Sequence, residues 1–185
     1  MKGNARIAVR WFLILACVLL GAGLFYPEFV SYVARARIET SMRGDDFSQA
    51  AGQLRSLLSW KPRDARAHYL QAVMLRRSGN TTGFQEALAT AQSLGAATAW
   101  VDFQQRLLDV QQGKVDKTIE PELLDEAAKL SSDDIAAQTY EAISRGYLDT
   151  YRLKEAWQCL EYWTQWQPNA TSARQKLSAL VQIPV

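Results

Sequence analysis

One spacing occurs twice in this chain. Ala50 and Pro62 stand twelve positions apart, and so do Ala156 and Pro168; a tryptophan, Trp60 or Trp166, sits two positions before each proline. The prolines are separated by three periods of about 35 residues, the length at which a helical unit of about 34 residues stacks on its neighbours. The unit is clearest from Tyr140 to Pro168. Ala142, Ile143, Gly146 and Tyr147 recur at spacings of three and four, which lines one face of a helix. Asp149 and Thr150 break that run. Leu153, Ala156, Trp157, Leu160, Trp163 and Trp166 make a second periodic run. Pro168 and Asn169 stop it, because proline lacks the donor and clashes with the preceding turn. Small Ala142 and Ala156 amid bulky neighbours let two antiparallel helices approach to about 8–10 Å.

This pattern resembles the tetratricopeptide repeat. That family has a small residue in helix A, an aromatic followed by Glu-Ala at the start of helix B, and a proline twelve positions after that alanine. Here Tyr151 stands near the aromatic position with Leu153 closer in, Glu155 and Ala156 supply the pair, and Pro168 the proline. Phe47, Ala50, Trp60 and Pro62 give the second copy. The resemblance covers Phe29 to the end of the chain, and it implies an architecture that binds something without saying what.

The repeats follow in order. Glu28 to Met42 reads as the first helix A and Phe47 to Trp60 as its helix B. Ala65 to Arg77 is the next helix A, followed by a loop, Ser78 to Gly83, about three residues longer than the family pattern. The third repeat, from Ala97 to about Leu130, places Gln104 or Arg106 where a small residue is expected. Its short helix B opens at Thr118-Ile119-Glu120-Pro121. Ser172 to Leu180 reads as a capping helix, which keeps the apolar end of a solenoid from water. The resemblance puts helix A residues along a groove. Arg66, Tyr69, Val73 and Arg76 are the tentative partner-binding groove, suited to an acidic or C-terminal peptide segment. Trp157, Tyr162, Trp163 and Trp166 form an aromatic helix face. They either cover a repeat junction or dock against a partner.

Trp11 to Tyr26 carries no charge. At 1.5 Å per residue it spans about 24 Å, and Ile7 to Val9 extend it toward a bilayer core of about 30 Å. Three readings compete for it. A cleaved signal peptide has a poor exit after Gly21-Ala22-Gly23. A lipoprotein site at Cys17 has too few apolar residues before it. An uncleaved anchor fits the flanking residues. Lys2, Arg6 and Arg10 precede the run, and no acid precedes Glu28, which favours a cytoplasmic N-terminus and a repeat domain outside the cytoplasm, periplasmic in a bacterium. The expected fold is therefore all-α, a single N-terminal transmembrane helix followed by a tetratricopeptide-like α-solenoid of about four repeats. The expected domains are a basic tail over 1–10, an anchor in the lipid bilayer over 11–27 and the repeats over 28–185.

The chain has 21 basic and 19 acidic residues, a net charge of +2. Without the three basic residues of the tail the balance is slightly negative, and no basic field for nucleic acid is left. Sites for chemistry are missing as well. His68 is the one histidine, there is no HExxH or CxxC, and no glycine-rich phosphate loop occurs. His68 reads as a packing or surface residue and Cys159 as a buried thiol without an activating base. Asp133-Asp134 reads as a helix N-cap. Asn80-Thr81-Thr82 and Asn169-Ala170-Thr171 match the glycosylation acceptor pattern. No catalytic residue, cofactor or metal is expected. The expected function is a non-enzymatic, membrane-anchored protein–protein interaction scaffold, as a subunit or assembly factor of a membrane complex. The alternative is an extracytoplasmic holder of unfolded clients in a maturation pathway such as cytochrome c biogenesis.

Overall fold

A computed structural model describes residues 26–130 and 133–181. Helices α1 (26–43), α2 (Phe47–Trp60), α3 (Ala65–Arg77), α4 (Thr81–Ser93), α5 (Thr98–Gln111), α6 (Ile119–Lys129), α7 (Asp133–Asp149), α8 (Leu153–Trp166) and α9 (Thr171–Val181) follow one another, with no strand among the described residues. The all-α, repeat-like character expected from the periodicity is present. The expected fold class also included a membrane-spanning helix, and that part is corrected. No helix among the described residues is long and apolar enough to cross a membrane. Residues 11–25 of the expected span, and the basic tail before them, lie outside the described residues.

Side-chain caps fix where several helices begin. Asp46 accepts from the Gln49 amide at 2.9 Å, and Asp64 from the Ala67 amide at 3.0 Å. Each satisfies a helix-start N–H that has no intrahelical partner. Asn80 does the same for Gly83 at 2.9 Å. This cap corrects the long loop expected at Ser78 to Gly83. The turn is only Ser78 to Asn80, with Gly79 at φ +84, and Thr81 to Gly83 form the first turn of α4. A run of polar and small residues read as a loop; the Asn80 carboxamide turns it into a helix start.

The chain divides into two compact units, 1–37 and 38–185. In the first, residues 26–37 are helical, and Ser31 Oγ donates to the Pro27 carbonyl at 2.6 Å. In the second, α3 pairs with α4 and α7 with α8, α5 and α6 both pack on α7, and α9 lies on α8. Phe103 and Leu107 of α5, Leu123 of α6, Ala142, Ile143 and Tyr147 of α7, and Ala156 of α8 share one core cluster. Ala137, Leu160, Trp163, Ala170 and Ala173 form another where α9 closes over α7 and α8. The small residues are spent on close contact: Ala142 and Ala156 are fully buried. Gly146 is tighter still. A Cβ there would sit inside van der Waals contact of the Val110 carbonyl oxygen and 3.0 Å from Val115 Cγ1.

Candidate functional site

Helix α3 carries Arg66, Tyr69, Val73 and Arg76 at spacings of three and four, so the four share one face. Tyr69, Val73 and Arg76 on that face are buried and only Arg66 reaches solvent. A cleft of about 80 Å³ opens beside it. Its walls come from the end of α1 (Glu39, Met42, Arg43), from α3 (Arg66, Tyr69, Leu70, Val73), from α5 (Trp100) and from α7 (Asp134, Ile135, Gln138).

Arginine chemistry dominates this cleft. The Arg66 guanidinium lies 5.1 Å from the ring centroids of both Tyr69 and Trp100, and it pairs with Glu39 at 3.1 Å. The two rings meet edge to face, 5.8 Å apart at 83°. Guanidinium over aromatic faces is the arrangement that cation–π attraction favours. Across the cleft, Arg43 forms two hydrogen bonds with the Asp134 carboxylate, at 2.6 and 3.0 Å. Asp134 thus forms an ion pair from within the first turn of α7.

Behind the cleft wall lies Arg76, with no exposed surface. Three glutamine oxygens hold it. Nε donates to Gln104 at 3.0 Å, Nη1 to Gln111 at 3.0 Å and Nη2 to Gln138 at 3.3 Å. Burial pushes its pKa down to about 10, with Glu141 pulling the other way, so it stays charged at neutral pH. Its sequence neighbour Arg77 is also buried and is fully neutralised. It donates to Glu141 at 2.6 Å, to the Met42 carbonyl at 2.6 Å and to Asp45 at 3.0 Å. Arg145 joins from α7, 2.7 Å from Glu141 and donating to the Arg77 carbonyl at 2.7 Å. Burial alone would raise the Glu141 carboxyl; Arg77, Arg145 and Arg76 outweigh it and hold the group below its ordinary range. Asp45 also accepts from Ser172 N at 3.0 Å and Ser172 Oγ at 2.7 Å, across 127 positions of sequence. It does so with φ +60, a left-handed conformation that aspartate tolerates better than most residues.

The aromatic face of α8 is divided. Trp163 is fully buried in the core under α9 and Trp157 is partly buried, whereas Tyr162 and Trp166 remain 49% and 47% exposed. Tyr162 stacks on Tyr140 with centroids 5.2 Å apart. Trp60, the counterpart of Trp166 in the twofold spacing, is 48% exposed. Cys159 is buried 3.9 Å from Glu120, and its thiol is pushed up to about 12, first by burial and then by that carboxylate. His68 Nε2 lies 3.0 Å from the Pro62 carbonyl at the surface. Among the described residues no group of three or more His, Cys, Asp or Glu side chains could hold a metal ion.

No protein-family model, curated protein or solved structure matches this chain. Its site is therefore read from geometry alone. Sequence reasoning brought out Arg66, Tyr69, Val73 and Arg76, and the structure gathers the first three at one cleft with Arg76 behind it. It did not single out Gln138, Arg77, Glu141 or Asp45. The one available signal was Gln104, a large amide where the repeat pattern expects a small residue; that departure marks the hub of the buried network.

Proposed function

We propose that this chain is a non-enzymatic protein–protein interaction scaffold of the tetratricopeptide type, working as a subunit or assembly factor of a larger complex. The observation that carries this reading is the pair Trp60 and Trp166. They hold equivalent places before equivalent prolines, and each leaves about half its surface in water. A tryptophan packed only to seal a repeat junction is buried, as Trp163 is. Two half-exposed indoles at repeated positions are rigid anchors of the kind that dominate binding energy in protein interfaces.

The test is a pull-down of the full-length chain in mild detergent, with the mass and stoichiometry of what accompanies it. We expect a defined partner in fixed ratio, and its loss on W60A or W166A at unchanged circular dichroism. Recovery of a sub-stoichiometric mixture of unfolded chains, unaffected by either variant, would overturn the scaffold and establish a transient holder of clients.

A further inference from the structure

The twofold spacing aligns α2 with α8 and α3 with α9. The shift that carries Ala50 onto Ala156 and Pro62 onto Pro168 also carries Ala51 onto Trp157 and Arg55 onto Glu161. At the first of these positions a methyl group becomes an indole. At the second a cation becomes an anion. On either helix the two positions are four residues apart, so they share one face.

The two repeats use these residues differently. In the first they border a groove of about 500 Å³ between α2 and α3. Leu54 and Met74 are buried at its base, Ala51 and Leu58 are half-buried along its side, and Arg55 stands exposed at its rim. In the second, Trp157 is half-buried and Glu161 is exposed on the outer side of α8, next to the half-exposed Tyr162. Gln71, which lines the groove from α3, corresponds there to Leu177, which packs against the core under α9. Neither Arg55 nor Glu161 has an ion pair or side-chain hydrogen bond among the described residues.

We infer that the groove between α2 and α3 is a docking site for α8 of a second copy of this chain. Trp157 of one copy fills the space that Ala51 leaves in the other, and Glu161 pairs with Arg55. The register agrees. With α8 laid parallel to α2, seating Trp157 against Ala51 places Glu161 about 6 Å further on, opposite Arg55. An indole over an apolar base is the kind of anchor that dominates interface energy, and the charge pair fixes its alignment. Like-on-like contacts are disfavoured by the same groups. Contact of α2 with α2 along the groove brings Arg55 against Arg55, and contact of α8 with α8 brings Glu161 against Glu161. The interface therefore joins unlike surfaces, and it closes into a ring or grows onward. Trp60 and Trp166, which carry the scaffold reading, take no part in it, so the two stand or fall separately.

Sedimentation equilibrium of the full-length chain in mild detergent, with micelles in excess, reads the association. Two helical turns make a small contact of the transient class, so we expect the mass to rise above that of one chain between about 10 and 100 µM. R55E and E161R should each weaken association at least about tenfold, with circular dichroism unchanged because both side chains are exposed. The double variant R55E/E161R should restore it, and so should an equimolar mixture of the two single variants. A51W gives α2 the indole of α8 and should weaken association by a similar factor. The mass of a single chain up to about 1 mM, or association that neither charge reversal diminishes, would overturn the docking site. Losses in the single variants that neither the double variant nor the mixture repairs would also overturn it, by showing that Arg55 and Glu161 do not meet.

Discussion

At Gly146 a single hydrogen atom in place of a methyl group sets the distance between two helices. The α7 backbone there lies against the Val110 carbonyl of α5, and Val115 closes the remaining space. Backbone cannot move aside as a flexible side chain can. Gly146→Ala therefore forces α5 away from α7 and loosens the cluster that holds Phe103, Ile143 and Tyr147. Overpacking of this kind costs about 3 kcal/mol or more at the severe end. That corresponds to a melting temperature lower by about 6–12 °C in a chain of this size, which thermal unfolding followed by circular dichroism will read. The sequence showed Gly146 as a small residue on a packing face. It did not show what the face packs on, because Val110 is on another helix and no local pattern joins the two. Asp45 was less legible still. As part of Gly44-Asp45-Asp46 it had the composition of any turn, and its partners Arg77 and Ser172 lie far along the chain.

Between helices, polar contacts do the work that hydrophobic periodicity cannot report. A pattern of apolar residues locates α2, α3, α8 and the C-terminal part of α7 well, because each buries an apolar stripe. The same pattern assigns arginine and glutamate to the solvent. In α3 and α7 that assignment fails: Arg77 and Glu141 are both buried, and they tie one helix to the other. Removing one member of such a pair leaves an uncompensated charge and costs about 3–5 kcal/mol. Glu141→Gln is expected to lower stability near neutral pH by an amount of that order. The pH dependence identifies the group. Glu141 is held below its ordinary value of 4.5 in the folded chain, facing Arg77, Arg145, Arg76 and Lys176. Its contribution is therefore complete above about pH 4.5 and is lost as pH falls through the folded value. Urea midpoints measured between neutral pH and pH 3 should fall in the natural chain and fall less steeply in E141Q. Equal acid slopes in the two chains would show that the charge at this position does not couple to folding.

For the molecule as a whole, the repeat spacing announced helical pairs and a terminal helix, and those elements are present. The sequence could not announce that Asp45 and Ser172 meet. The Asp45 carboxylate, at the turn after α1, holds Ser172 in the first turn of α9 and shares Arg77 with Glu141 of α7. Asp45→Asn keeps a side chain that tolerates the left-handed turn but removes the charge. Hydrogen bonds to charged groups contribute about 1.5–3 kcal/mol, so D45N should lower the melting temperature by about 3–12 °C. Hydrogen exchange should quicken together at the end of α1 and the start of α9, not at one of them. In an open array each unit touches only its neighbours, stability is close to a sum along a line, and unravelling starts at either end. A clasp between the turn after α1 and the first turn of α9 joins two points far apart on that line. The repeats then gain or lose order as one cooperative body, and a further copy of the unit could not be spliced between them without prising the clasp apart.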